Sequence, residues 1–203
     1  TVLNHYRISA RDLPWRKTDD PYHILVSEFM LQQTQAERVV SKFVSFINAF
    51  PTVDALADAH FSDVLKYWQG LGYNRRAKYL YECARTLYES YGSTVPQEYD
   101  QLVRLPGIGS YTASAVCVFA FNRPHVFIET NIRTVFIHRF FIFHQSVSDK
   151  LLFPLVETTL YRQNPSMWYN ALMDDGVYLK KKYCNPGRKS AHYIRQSPFE
   201  GSD

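Results

Sequence analysis

One carboxylate in this sequence lies on a stretch that is otherwise almost entirely apolar. Glu28 stands inside VSEFMLQQTQ, and Ile24 and Leu31 fall on the same helical face, four residues before it and three after. Most helical glutamates lie on the protein surface, but this spacing favours a partly buried carboxyl group. Burial raises the pKa of a carboxyl group, as a general acid near neutral pH requires. Glu28 is therefore the first candidate catalytic residue.

A second stretch, LPGIGSYTA at residues 105–113, predicts a tight turn that opens into a helix. Pro106 fixes one backbone angle, while Gly107 and Gly109 allow positive φ or the close approach of another backbone. No Cβ shields the amides of this turn, so they can point outward beside a helix N-terminus and bind an anion such as a phosphodiester. The glycine spacing alone favours an ordinary connection between helices.

The two stretches together resemble base-excision DNA glycosylases that carry a helix-hairpin-helix motif. Residues 97–103 predict a helix that enters the turn. SEFMLQQTQ is similar to the catalytic helix of MutY-type adenine DNA glycosylases, where the residue at the position of Glu28 protonates the adenine ring. Gln33 falls where those enzymes insert a wedge side chain into the base stack. The resemblance implies further DNA contacts from Gln32, Thr34, Leu105, Gly107, Ile108, Gly109 and Ser110.

The segment GLGYNRRA, residues 70–77, is also similar to the family. Alone it predicts a glycine-rich turn before a basic helix, which is hardly specific. The resemblance implies that Tyr73 wedges beside the partner base, and that Arg75, Arg76 and Lys78 face the DNA phosphates. This chain has Asn74 where the family often has a second tyrosine.

Tyr111, inside the hairpin motif, separates two chemistries. Relatives such as endonuclease III carry a lysine at this position, whose amine forms a Schiff base and cuts the strand. Tyrosine resembles both some adenine glycosylases and the thymine-mismatch branch of the family. The resemblance therefore implies base removal without strand cleavage, and leaves the choice of base open.

Glu129 and Asn131, in VFIETNIRTVF, form the third candidate site. On physical grounds an acid before the first turn, followed by a capping asparagine, is an adequate helix start. The family places an aspartate at the first position and an asparagine two residues later, near the sugar C1′. The resemblance implies that Glu129 stabilises positive charge on the sugar as the base departs. Its extra methylene departs from the family pattern and puts catalytic efficiency and base preference in question.

No cofactor is expected. Many relatives hold an iron–sulfur cluster with four closely spaced cysteines after the last helix, but residues 180–192 contain Cys184 alone. His138 and His144 have no partner at metal-ligand spacing, so no metal site is predicted. We expect packing around Tyr178, Tyr183 and Tyr193 to hold this tail instead.

Composition is consistent with a DNA-binding protein but does not require one. The chain has 203 residues, a net charge of +4 and 16% aromatic side chains, which suit packed helices and also base stacking. Three widely separated cysteines argue against a disulfide framework. No apolar run approaches the ~20 residues of a membrane helix. We expect an intracellular monomer, cytoplasmic and nucleoid-associated if prokaryotic, that binds double-stranded DNA containing a mismatched or damaged base.

Helical periodicity dominates the chain, and only residues 125–128 resemble a strand, so the predicted class is all-α. The resemblance implies two helical lobes with a DNA-binding cleft between them. Residues 20–123 would form a six-helix barrel that contains the hairpin motif at about 97–123. Residues 1–19 and 124–203 would form the second lobe.

The predicted activity is hydrolytic removal of a mispaired base, with adenine opposite guanine or 8-oxoguanine as the preferred substrate. Two alternatives remain open from the sequence. One is a thymine or uracil mismatch glycosylase on the same fold. The other is a lesion-binding protein without turnover, which the replacement at Glu129 and the missing cysteines would suit.

Overall fold

The computed structural model describes residues 2–193, and helices supply the regular structure of that range. A single β-bridge joins Val147 and Ser190, and no β-strand occurs among the described residues. The predicted all-α class is confirmed. No helix among residues 2–193 is both long and apolar enough to cross a membrane. The α-helices are α1 (Val2–Ser9), α2 (Pro21–Leu31), α3 (Ala36–Ala49), α4 (Val53–Ala57), α5 (Phe61–Trp68), α6 (Arg75–Tyr91), α7 (Tyr99–Leu102), α8 (Ser110–Phe121), α9 (Thr130–Phe140), α10 (Asp149–Thr159) and α11 (Pro165–Lys182).

The chain divides into two compact units. One comprises residues 12–121 and contains α2 to α8; the other comprises residues 1–11 together with 122–203. The boundary predicted from the sequence lies at residue 20. Trp15 explains the earlier start, because it is buried and its ring packs edge-on against Phe43 of α3, with 5.7 Å between ring centroids.

In the unit of residues 12–121, α2 and α8 are the central helices. Residues 24–30 of α2 and 112–118 of α8 are buried without interruption, so both helices are covered on all sides rather than on one stripe. α2 packs against α3, α6 and α8. Asp20 starts α2 as its N-cap, since its carboxylate accepts from the Tyr22 amide at 2.8 Å. The stretch that carries Glu28 is therefore the most enclosed helix of its unit.

In the other unit, α11 packs against α1 and α9. Two buried carboxylates of α11 contribute ion pairs: Asp174 accepts from Nε of Arg11, which follows α1, at 2.6 Å, and Asp175 accepts from Arg139 of α9 at 2.6 Å. Tyr169 of α11 donates its hydroxyl to the carbonyl of His125 at 3.1 Å. This contact fixes the extended segment that leads into α9.

One expectation for the C-terminal region needs correction. α11 continues to Lys182, and three lysines in its last turn suit the negative end of the helix dipole. The tyrosines expected to hold the tail are 38–45% exposed. The main chain holds it instead, through Val147 N to Lys189 O at 2.8 Å and Ala191 N to Val147 O at 2.9 Å. The end of this tail, residues 194–203, lies outside the described residues.

Candidate active site and nucleic-acid interface

Glu28 lies in the third turn of α2 and is 5% exposed. The predicted burial of this carboxyl group is therefore confirmed. Its neighbour Ser27 is also buried, and its hydroxyl donates to the carbonyl of Ile24 at 2.7 Å, so this polar group is satisfied within the helix. A carboxyl group on a rigid, enclosed helix has little freedom to change position. This arrangement suits a proton donor that must be aimed at one atom of a substrate.

The hairpin turn packs directly against the helix that carries Glu28. Gly107 has φ +74°, and a Cβ built on it would lie 2.5 Å from Tyr79 Cβ and 2.8 Å from Phe29 Cε1. No other residue type fits this position without movement, because both the backbone angle and the space exclude a side chain. The turn is therefore seated on α2 at the residue next to Glu28, and on α6 through Tyr79.

Gly109 and Ser110 form the open side of the hairpin. Both are exposed, and a Cβ at Gly109 would meet nothing within 4 Å. α8 begins at Ser110, so the first amides of this helix have no carbonyl partner within it. Exposed amides at a helix N-terminus are the arrangement that binds phosphate oxygens. Leu105 and Ile108 are 3% and 5% exposed, so any DNA contact from them must come from the backbone rather than from their side chains.

Gln33 and Tyr73 are both exposed, as wedge residues must be, and Tyr73 reaches 56% exposure. Both have left-handed backbone angles, with φ +56° for Gln33 and φ +50° for Tyr73. This conformation is uncommon for residues other than glycine and costs free energy. The sequence contained no signal for it. Gln32 and Thr34, beside Gln33, are half-buried and make internal hydrogen bonds, including Gln32 Nε2 to Thr112 Oγ1 at 3.3 Å.

Arg76 does not face solvent, and its predicted role as a phosphate ligand is wrong. The residue is 8% exposed, and its guanidinium donates to main-chain carbonyls and to one hydroxyl inside the protein. Burial lowers the pKa of Arg76 to about 10, so the group remains charged at neutral pH. Its acceptors are the carbonyls of Phe29, Met30, Gln32, Leu71 and Gly72 and the Thr34 hydroxyl.

Arg75 and Lys78, on the same helix, are exposed and can reach a phosphate backbone. Arg75 lies over the ring of Tyr79 at 5.3 Å and donates from Nε to the Tyr79 hydroxyl at 3.0 Å. Lys78 is 3.6 Å from the Glu82 carboxylate, a surface pair worth little in water. These two cations are consistent with the predicted phosphate contacts.

Glu129 is the N-cap of α9. Its Oε1 accepts from the amides of Asn131 at 2.7 Å and Ile132 at 3.0 Å, so Glu129 itself caps the helix, not Asn131. Asn131 donates from Nδ2 to Glu129 Oε2 at 3.2 Å and accepts from Lys180 Nζ at 2.7 Å. Gly176 of α11 packs so closely here that its Cβ would lie 2.6 Å from Asn131 Cβ. The Glu129 carboxylate is therefore held in one orientation, with the helix amides at one oxygen and the Asn131 side chain at the other.

Sequence reasoning missed Lys180. It was not among the predicted site residues. Lys180 follows Gly176 by four residues and so lies on the face that packs against Asn131, which is the spacing that could have identified it. Burial lowers the pKa of Lys180 below its ordinary value, and the negative charge of Glu129 offsets only part of that shift.

Residues 2–193 contain no group of three or more histidine, cysteine, aspartate or glutamate side chains placed to hold a metal ion. Cys83 and Cys117 are buried in the unit of residues 12–121, and Cys184 is exposed in the other unit. A four-cysteine iron–sulfur cluster needs four thiolates around one centre, and residues 180–192 supply Cys184 alone.

Residues 26–159 match the family described as "HhH-GPD superfamily base excision DNA repair protein". The match covers more than half of the chain, so the chain belongs to this family. It is 47% identical over 135 residues to the adenine DNA glycosylase of Mycobacterium tuberculosis, covering 66% of this chain and 44% of that protein. It is 35% identical over 188 residues to the adenine DNA glycosylase of Buchnera aphidicola subsp. Baizongia pistaciae, covering 92% of this chain and 53% of that protein.

Among solved structures, the chain is similar to a thermostable thymine-DNA glycosylase, with a TM-score of 0.78 and 28% identity over 95% of this chain and 93% of that one. The chain spans about half the length of the curated relatives it matches. These likenesses confirm the helix-hairpin-helix glycosylase fold that the sequence resemblance implied.

Proposed function

We propose that this protein is a DNA glycosylase that removes adenine mispaired with guanine or 8-oxoguanine and leaves the DNA strand intact. The observation that carries the proposal is Glu28, a buried carboxyl group on α2, one residue from the contact between Phe29 and the hairpin at Gly107. The preference for adenine is supported by 47% and 35% identity to two adenine DNA glycosylases.

The duplex is the proposed partner. Amides at Gly109 and Ser110 bind a phosphate at the N-terminus of α8, and Arg75 and Lys78 supply positive charge along α6. Such contacts hold the DNA without reading its sequence. The target nucleotide must leave the base stack before any side chain can reach it, at a cost of roughly a few kcal/mol. We propose that the protein acts as a monomer.

Glu28 then protonates the ring of the flipped adenine. The glycosidic bond breaks, its electron pair leaves with the base, and positive charge remains on the sugar. Glu129 stabilises this charge, and water adds to the sugar and gives its proton to the Glu28 carboxylate, which restores the acid. The products are free adenine and an abasic site. Tyr111 carries no amine, so no Schiff base forms at the hairpin and the strand is not cut.

The test is single-turnover base release from a panel of duplexes that present adenine, thymine or uracil opposite guanine, and adenine opposite 8-oxoguanine. We expect adenine release by the wild type and a loss of about 10²–10⁴-fold in Glu28→Gln, with duplex affinity nearly unchanged. Ser27→Ala, which removes a neighbouring buried hydroxyl, is the matched control and should retain activity. Release of thymine alone would replace the proposed substrate, and undiminished release by Glu28→Gln would remove Glu28 from the mechanism.

Two further measurements examine the products and the cofactor. Borohydride should trap no covalent complex between protein and DNA during the reaction, because Tyr111 cannot form an imine. Elemental analysis of the purified protein should show no stoichiometric iron, since one cysteine in residues 180–192 cannot ligate a cluster. Efficient trapping or an iron-loaded protein would contradict the corresponding part of the proposal.

A further inference from the structure

Two exposed side chains of this protein stand on strained backbone beside one buried cation. Gln33 and Tyr73 have φ of +56° and +50° and lie in separate loops, at residues 32–35 and 69–74. Left-handed conformations of this kind persist only where the surrounding structure enforces them. Within each loop the neighbouring carbonyls point inward, so the force that holds the conformation must come from the interior.

Arg76 supplies that force to both loops. Nη1 donates to the carbonyl of Gln32, directly before Gln33, and also to those of Phe29 and Met30 at 3.0 and 2.9 Å. Nη2 donates to the carbonyl of Gly72, directly before Tyr73, at 3.1 Å. The same nitrogen donates to Leu71 O and Thr34 Oγ1, both at 3.0 Å.

The position of Arg76 is unfavourable for an ordinary structural residue. It is the second residue of α6, where the helix dipole repels a cation, and burial removes most of its hydration. The planar guanidinium offers five N–H donors in a fixed fork, a geometry that no other side chain provides. The ring of Tyr73 also lies against it, with 5.6 Å between the ring centroid and Cζ.

We propose that Arg76 is a positioning residue that locks the two loops together, so that Gln33 and Tyr73 enter the base stack as one rigid pair during extrusion of the target nucleotide. Aromatic side chains stack on bases whatever their sequence, which suits the exposed ring of Tyr73. The proposal rests on the proposed function, since it requires a duplex from which a base is extruded. It assigns Arg76 to the extrusion step and leaves bond cleavage to Glu28.

The experiment compares two substrates that differ in how firmly the duplex holds the target: adenine paired with 8-oxoguanine, and adenine in a bulge, which has no partner base. Loss of the guanidinium in Arg76→Gln should slow adenine release from the duplex by about 10²-fold, the effect expected when a positioned group moves by roughly 1 Å. Adenine release from the bulge should slow much less. Arg76→Lys keeps the charge but has only three donors, so its ratio of duplex to bulge release rates should lie between those of the wild type and Arg76→Gln. Arg85→Gln, an exposed arginine on the same helix, is the control and should leave the ratio unchanged.

An equal loss on both substrates would overturn the proposal, because a destabilised protein loses active molecules for every substrate alike. Thr34→Val removes one of the acceptors and should show the same selective loss on a smaller scale. An unchanged ratio in Thr34→Val would overturn the proposal even if Arg76→Gln does not fold.

Fluorescence of 2-aminopurine at the target position separates this inference from the proposed function. In the Glu28→Gln background the wild-type loops should unstack the probe and raise its fluorescence, whereas added Arg76→Gln should not. If no base is released from any duplex but the signal depends on Arg76, the proposed function fails and the positioning role stands. If base is released and the signal is independent of Arg76, the positioning role fails alone.

Discussion

Replacement of Gly107 by alanine should destabilise the unit that carries Glu28. The new Cβ would lie 2.5 Å from Tyr79 Cβ and 2.8 Å from Phe29 Cε1, on backbone with φ +74°. The left-handed angle costs an alanine roughly 1–2 kcal/mol, and overpacking of a core adds roughly 1–3 kcal/mol. The sum, about 2–5 kcal/mol, corresponds to a fall in Tm of about 4–20 °C for a chain of this size.

Gly109→Ala is the matched control, since a Cβ there meets nothing within 4 Å. Its Tm should stay near that of the wild type, because surface changes are worth about ±0.5 kcal/mol. Thermal unfolding followed by circular dichroism measures both variants. Single-turnover base release below the melting range should also fall in Gly107→Ala, because Phe29 must move and Glu28 is its neighbour on α2. A Gly107→Ala protein with wild-type Tm would refute the packing argument for the hairpin.

Three further predictions concern charged groups. Arg75→Gln should weaken duplex binding and reduce the slope of log K against log salt concentration by about 1, measured in salt titrations. The control variant Arg85→Gln should change neither the affinity nor the slope. Glu129→Gln keeps an oxygen for the helix cap but loses the charge, so single-turnover rate should fall by orders of magnitude while Tm falls little; a wild-type rate would leave the residue as a cap alone. The hydrogen bond from Arg133 lowers the pKa of Asp149 in the folded protein. The pair therefore stabilises the fold fully at pH values above the ordinary carboxyl pKa. This stabilisation is lost as the pH falls through the lowered pKa of Asp149. Between pH 2 and 6, the Tm of Asp149→Asn should therefore change less with pH than the Tm of the wild type.

Local patterns predicted the parts of this protein that depend on local physics. A glycine-rich turn before a basic helix was predicted at residues 70–77, and α6 begins at Arg75. The apolar face around Glu28 predicted its burial. The hairpin was predicted from glycine spacing and resemblance, and Gly107 has the positive φ that the turn requires. Each of these features is determined by residues within about one or two turns of chain, which is the range over which periodicity carries information.

The features that sequence reasoning missed depend on contacts between distant segments. The family resemblance implied that Arg76 faces the DNA phosphates together with Arg75 and Lys78, and most arginines do face solvent. Its acceptors Phe29, Met30 and Gln32 lie 44–47 residues away along the chain, so no local pattern could reveal that they converge on one guanidinium. The partner of Lys180, Asn131, is also distant, at 49 residues along the chain, so the spacing from Gly176 indicates its helix face but not its partner.

Because the backbone at Tyr73 is left-handed, two substitutions at this position can test stability and activity separately. Tyr73→Gly removes the strain and the ring, whereas Tyr73→Ala removes the ring and keeps the strain. Glycine should therefore be more stable than alanine here by about 1 kcal/mol, after allowance for its greater freedom in the unfolded chain. Both variants lack the aromatic surface that stacks on a base, so both should release adenine from a duplex more slowly and to a similar extent. If Tyr73→Gly is the more stable variant but retains wild-type release, the strain at this position does not serve the insertion of the ring.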